Sequence, residues 1–267
     1  MAQPPIPKRI HYCWLSDDAI PDNLVACMET WRRILPDYEV VRWDARRFDM
    51  GSNTFVRQAF ERGKWAFASD YIRLHAVWSE GGIYFDSDIL VRKSIDDFLR
   101  HEMFIPVEYH PAIAASEGAG DLLDEAKRPL RRGTNIPGIG LQAAVFGARA
   151  RHPFLRACMD FYEGRDFVQP DGSLFIDPIA PGIYAQTAEA FGFVYDDRAQ
   201  HLDGNVTVVP SRFFASSPGL ATREAYAVHC CNGSWRENAA LSLPRRAARK
   251  LKRGLARLGV ARGQRRT

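Results

Sequence analysis

Glu80-Gly81-Gly82-Ile83-Tyr84-Phe85-Asp86-Ser87-Asp88 decides how this 267-residue chain is read. The two glycines stop a helix in the way helices commonly end. A short apolar run follows, with the character of a buried strand, and it leads straight into Asp86-Ser87-Asp88. In open α/β sheets, ligands bind outside the carboxyl ends of the strands. On an extended strand, residues two apart share a face with Cα atoms about 6.5 Å apart. Asp86 and Asp88 are therefore expected on one face, with Tyr84 two residues earlier on the same face. Two carboxylates so placed repel unless a divalent cation or a hydroxyl-rich ligand lies between them. A hard cation such as Mg²⁺ or Mn²⁺ prefers oxygen ligands and bridges to phosphates. Taken alone, the tripeptide reads more often as a polar turn after a strand.

Outward from this stretch, the pattern alternates strands and helices. Residues 54–63 and 65–79 read as helices. Arg9-Ile10-His11-Tyr12-Cys13-Trp14 reads as a strand. Pro21-Asp22 opens a helix, with Asp22 as its cap, that carries Leu24, Met28, Trp31 and Leu35 at helical spacing. Pro36-Asp37 closes it, and Tyr38 to Trp43 reads as a second strand. This β-α-β order with short turns predicts a parallel α/β sheet. Further strands are expected at 103–107, 141–146 and 206–209, and helices at 153–163 and 182–191. The polar, Gly-rich stretch 116–138 reads as a lid or an acceptor loop, because long loops in compact domains are often functional. No linker precedes residue 240.

Composition narrows the class. With 46% hydrophobic and 12% aromatic residues the chain can bury a full core, which excludes a mainly disordered protein. No apolar run approaches the roughly 18–20 residues of a membrane-spanning helix, and MAQPPIPKRI lacks the pattern of a secretory signal. Five cysteines, two of them adjacent, make a poor disulfide framework and show no zinc spacing. A reduced, cytoplasmic chain is the expectation. The net charge of +4 conceals a split: Arg245 to Thr267 holds ten Lys/Arg and no Asp/Glu, leaving 26 basic against 32 acidic side chains before it. The body is thus not a nucleic-acid-binding surface.

Three blocks in order point to a family. The continuous Phe67-Ala68-Ser69-Asp70-Tyr71-Ile72-Arg73-Leu74 with Glu80 to Asp88 resembles the sugar-binding D-x-D region of glycosyltransferase family 32. Ile6-Pro7-Lys8-Arg9-Ile10-His11-Tyr12-Cys13-Trp14 is similar to that family's first strand. Ala227-Val228-His229-Cys230-Cys231-Asn232-Gly233-Ser234-Trp235 is similar to its closing strand and H-x-x-x-x-S-W segment. The family includes bacterial capsular-polysaccharide transferases and fungal initiating mannosyltransferases, and the clostridial glucosylating toxins share a similar core. The resemblance implies a single GT-A domain, a Rossmann-like mixed sheet flanked by helices, spanning residues 1–244. It also implies a nucleotide-sugar donor and a retaining transfer to a glycan or lipid-linked acceptor.

Roles follow residue by residue. Asp88 is the expected metal ligand, with His229 as a second. Asp86 is expected to meet ribose or sugar hydroxyls, or the metal through water. Asp70 and Arg73 share a helix face and read either as an ordinary helix ion pair or, by resemblance, as groups on the donor sugar and the leaving phosphate. Ser69 belongs to the same donor-binding block. Trp14 reads as a base-stacking ring or a core tryptophan, and Tyr84 as a ring against ribose or as core. Ser234 and Trp235, by resemblance, close over the diphosphate. Gln142 faces either the acceptor or the strand interior. The donor is expected to be a UDP-sugar, with GDP-mannose the alternative, and a non-catalytic nucleotide-sugar or glycan-binding module is a further reading. Glycoside hydrolysis fits badly, because its two carboxylates must flank the scissile bond. In the tail, 245–267, Leu251, Leu255 and Leu258 form one helical stripe among Lys and Arg. Such a helix binds anionic membrane surfaces and would hold the enzyme at the inner face of the cytoplasmic membrane; a solvated tail is the plain alternative.

Overall fold

The computed structural model describes residues 5–230, so Ser234, Trp235 and the basic tail lie outside the described residues. In chain order the elements are β1 Arg9–Cys13, α1 Asp22–Ile34, β2 Glu39–Trp43, α2 Thr54–Glu61, α3 Trp65–Glu80, β3 Gly82–Phe85 and β4 Ile89–Val91. There follow β5 Met103–Tyr109, α4 Pro111–Ser116, β6 Ile139–Leu141, β7 Val145–Ala148, α5 Pro153–Tyr162 and α6 Ala180–Glu189. The last are β8 Gln200–Leu202, β9 Val206–Val209, β10 Phe214–Ala215 and β11 Ala227–His229. Short 3₁₀ turns join several of them.

The main sheet runs β2-β1-β3-β7-β5-β9-β8, with β6 paired to β5, and a three-stranded sheet runs β10-β11-β4. The fold is therefore α/β with the mixed sheet that the resemblance implies, and the parallel order read from the β-α-β pattern does not extend to β7. β1 is parallel to β2 and β3, as the β-α-β order requires. β7 runs antiparallel to both β3 and β5. The reason is local: the run 141–146 is not one strand. The backbone N–H of Gln142 donates to the Pro106 carbonyl, and that of Asp86 to the Ala144 carbonyl. The chain thus crosses from β5 to the end of β3 before turning back as β7. Asp22 is also corrected. It is the first residue of α1, an acidic group in the first turn, and the cap position is held by Pro21 without a side-chain bond. Asn53 is a genuine cap, its side chain accepting from the Val56 N–H at the start of α2.

The stripe on α1 is buried as its spacing predicts, and it does more than fill the core. The Trp31 indole donates to the Ile89 carbonyl at 2.6 Å. The Thr30 hydroxyl accepts from the Val91 N–H at 2.9 Å. Both bonds tie α1 to β4, the strand that follows the Asp86-Ser87-Asp88 turn.

Between α3 and β3 the backbone is held by contacts that only glycine allows. Gly81 has φ +68° and Gly82 φ +120°, the left-handed side that L side chains avoid. A Cβ on Gly82 would lie 2.6 Å from the Arg9 carbonyl oxygen. Gly82→Ala should therefore push β3 off β1 and lower stability by roughly 1–3 kcal/mol, measurable by urea unfolding.

His11 locks the same junction. Its Nε2–H donates to the Gly81 carbonyl at 2.8 Å, and its Nδ1 accepts from the Trp43 indole at 3.0 Å. The ring is fully buried, and burial of the cation pushes its pKa down to about 4. The unfolded chain takes up this proton near pH 6.5, which the folded chain resists until about pH 4. Stability should accordingly fall as pH is lowered through that window, by about 3 kcal/mol from this residue. Unfolding titrations between pH 7 and 4 check this, and a flat stability profile would contradict it.

Candidate active site

The candidate site forms at the carboxyl end of β3, and its first feature differs from the extended geometry expected there. β3 ends at Phe85, and Asp86 to Ile89 make a turn closed by the Ile89 N–H donating to the Asp86 carbonyl at 3.0 Å. Asp86 and Asp88 therefore converge through a turn rather than along a strand face. Tyr84 still stands beside Asp86, its hydroxyl donating to Oδ1 at 2.8 Å.

Strand pairing brings in the third group. β11 runs antiparallel to β4 with His229 opposite Ile89, and the Cys230 N–H donates to the Asp88 carbonyl at 3.0 Å. His229 is the last residue of β11. Its Nε2 lies 3.3 Å from Asp88 Oδ1 and 4.0 Å from Asp86 Oδ2. One ligand atom from each of Asp86, Asp88 and His229 falls within 4.8 Å of the others. Two carboxylate oxygens and one imidazole nitrogen suit a divalent cation, and the three side chains reach a common point, so the donor set fits one. Burial works against a charged imidazole here, yet the hydrogen bond and field of Asp88, with Asp86 and Glu108, outweigh it and raise His229 to about 9. The two aspartate carboxylates that hold that proton would hold a metal ion in its place.

Arg73 is the pivot of the remaining charges. Its Nη2 lies 3.1 Å from Asp70 Oδ1 and its Nη1 3.5 Å from Asp86 Oδ1. Its guanidinium also stacks over the Tyr84 ring at 4.8 Å. Further bonds run to the Ala143 carbonyl at 2.8 Å, the Ser69 carbonyl at 3.1 Å and the Ser69 hydroxyl at 2.9 Å. With 6% of its side chain exposed against 13% for Asp70, this is a buried pair and not a solvated helix ion pair. Burial raises Asp70 to about 7, with Arg73 opposing and Asp86 reinforcing that rise. Ser69, placed by sequence in the donor-binding block, gives its own hydroxyl hydrogen to the Ala66 carbonyl and accepts from Arg73. It orients the arginine.

The other sequence-selected residues sort as follows. Trp14 is half-buried at the end of β1, with its indole donating to the Asp18 carbonyl at 2.9 Å. Gln142 is buried between β6 and β7 and not within a strand, and its amide donates to the Phe214 carbonyl at 2.5 Å. Sequence reading missed Glu108 and His110, joined at 3.2 Å, although a carboxylate just past an expected strand was the available signal. It also missed Tyr184, whose hydroxyl donates to the Asp70 carbonyl at 3.3 Å.

Comparison with known proteins now adds to this geometry. Residues 21–105 match the family described as glycosyltransferase sugar-binding region containing DXD motif. The match takes in Asp70, Arg73, Asp86 and Asp88 and leaves the opening and closing blocks outside it. Residues 21–105 thus carry the sugar-binding region of DXD glycosyltransferases. Inositol phosphoceramide mannosyltransferase 3 of Schizosaccharomyces pombe is 26% identical over 104 residues, which are 38% of this chain and 29% of that protein. The chain therefore spans under a third of the length of this curated relative. Among solved structures, PaToxG glycosyltransferase aligns over 69% of both chains at 17% identity and a TM-score of 0.46. The galactosyltransferase LgtC aligns over 95% of this chain and 97% of its own at 14% identity and a TM-score of 0.39. These two likenesses are too distant to carry conclusions about this chain.

Proposed function

We propose that this chain is a cation-dependent, retaining glycosyltransferase of GT-A type that moves a hexose from a nucleotide-sugar to a glycan or lipid-linked acceptor. The observation that carries the reading is the convergence of Asp86, Asp88 and His229 beside Arg73, itself held between Asp70 and Asp86. A divalent cation, Mn²⁺ or Mg²⁺, held by Asp88 and His229 with Asp86 would supply positive charge against the nucleotide diphosphate. Arg73 adds a fixed cation that costs no reorganisation as charge develops on the leaving phosphate. Asp70 accepts from donor-sugar hydroxyls, and Tyr84 holds Asp86 by one oxygen so that the other faces His229. The carboxylates gather on one side of a turn, so they do not flank a bond as a hydrolase pair must. No side chain is assigned as a covalent nucleophile; the leaving phosphate assists the incoming hydroxyl.

A UDP-sugar is the donor we favour, with Trp14 near the nucleobase. The mannosyltransferase relative supports the second reading, a GDP-mannose donor. Isothermal titration with UDP and GDP, each with and without Mn²⁺, tests both. UDP binding that needs the cation is expected; preference for GDP would move the donor to the second reading. Tight nucleotide binding without turnover would favour a binding module.

The division into a catalytic body, 1–244, and a localising tail, 245–267, is part of the proposal. A chain ending at Leu243 should keep turnover on a soluble acceptor and lose salt-sensitive binding to anionic vesicles. Equal sedimentation of the shortened and full chains with such vesicles would leave the tail as solvated charge. Loss of turnover would place the boundary further along.

A further inference from the structure

The half-buried pair of Glu108 and His110 has no part in the chemistry above, yet the fold aims it at the same end of the sheet. Glu108 lies on β5 opposite Gly140 on β6. From there the chain runs directly to the donor side. Leu141 pairs with Val107, the Ala143 carbonyl accepts from Arg73, and the Ala144 carbonyl accepts from the Asp86 N–H. Gly140 to Ala144 spans at most ~14 Å of extended chain, a gap that a donor sugar and an acceptor sugar end to end can fill.

The frame around the pair is tight. The His110 N–H donates to the Gly138 carbonyl at 2.8 Å. A Cβ on Gly138 (φ +71°) would lie 2.5 Å from the Ala114 nitrogen, and one on Gly140 would lie 2.9 Å from the Pro181 carbonyl oxygen. Only glycine lets the starts of α4 and α6 close on this corner. The two side chains themselves stay reachable, 19% and 27% exposed. A surface contact of this kind adds little stability even between full charges, so the rigid setting calls for another use. The stretch read from sequence as a lid or acceptor loop leaves the sheet just after His110 and returns at β6.

We propose that Glu108 and His110 form the acceptor-hydroxyl site, holding neighbouring hydroxyls of a polyhydroxylated sugar acceptor. The imidazole Nε2–H is held by one Glu108 oxygen, so the second carboxylate oxygen and the imidazole Nδ1 are left as acceptors. Together they match two vicinal hydroxyls, each of which donates one hydrogen bond. The proposal rests on the glycosyltransferase reading above.

The test uses the full chain with the nucleotide-sugar found by donor titration, and octyl α-D-mannoside and octyl β-D-lactoside as acceptor probes. Glu108→Gln and His110→Gln should each raise the acceptor KM at least tenfold, with donor KM, nucleotide affinity and melting temperature unchanged. Saturation-transfer NMR with the same glycosides should show contact in the wild type and little in either variant. Unchanged acceptor KM in the variants, equal NMR signals in all three proteins, or no signal from the wild type would each overturn the assignment. A parallel fall in nucleotide affinity would make the pair a structural support and equally overturn it. A wild type that neither binds nucleotide nor transfers sugar would sink the glycosyltransferase reading instead.

Discussion

Asp88→Asn should cost at least about a hundredfold in cation-dependent turnover, or ~3 kcal/mol of transition-state stabilisation, and leave the fold nearly intact. The substitution keeps the shape of the side chain and removes one of the two negative charges facing His229. The bond that orders this segment is untouched, because the Cys230 N–H donates to the Asp88 main-chain carbonyl. The β4–β11 pairing is likewise a backbone matter. Turnover across a Mn²⁺ titration, read beside the melting temperature, separates the two effects. A variant with wild-type turnover and the same cation requirement would remove Asp88 from the ligand set. Asp86→Asn should be comparably damaging, with more of its effect in donor affinity. That carboxylate also receives the Tyr84 hydroxyl and faces Arg73.

Arg73→Met is expected to have the largest effect on stability, about 3–5 kcal/mol, together with loss of donor binding. The arginine is buried and faces two carboxylates, Asp70 and Asp86. Removing it leaves Asp70 without its counter-charge where burial already raises the carboxyl to about 7. The Ala143 carbonyl loses its side-chain donor as well, and an unsatisfied buried acceptor carries its own penalty. A companion change separates support from chemistry. Asp70→Asn in the Arg73→Met background should recover part of the lost stability, since the stranded charge is gone, and none of the turnover. If Arg73→Met melts with the wild type, the pair is not the electrostatic centre of the site.

Local pattern made much of this protein legible. The α1 stripe from Leu24 to Leu35 is buried because helical spacing puts those residues on one face. α3 stops at Gly81 because a left-handed residue ends a helix without steric cost. Asp70, Arg73, Asp86 and Asp88 could be picked out because they stand in one continuous block and share a site with little help from long-range pairing. Tertiary structure decided what that block touches. His229 meets Asp88 only because β11 pairs antiparallel with β4 in a register that sets it opposite Ile89. That register depends on α1 pinning β4 through Trp31 and Thr30. The run 141–146 looks like one strand, yet it splits where the Pro106 carbonyl accepts from the Gln142 N–H and the Asp86 N–H donates to the Ala144 carbonyl, drawing the chain across the sheet. A short window of sequence fixes backbone period, caps and side-chain chemistry, whereas the distance between two strand ends is set by the packing of everything between them.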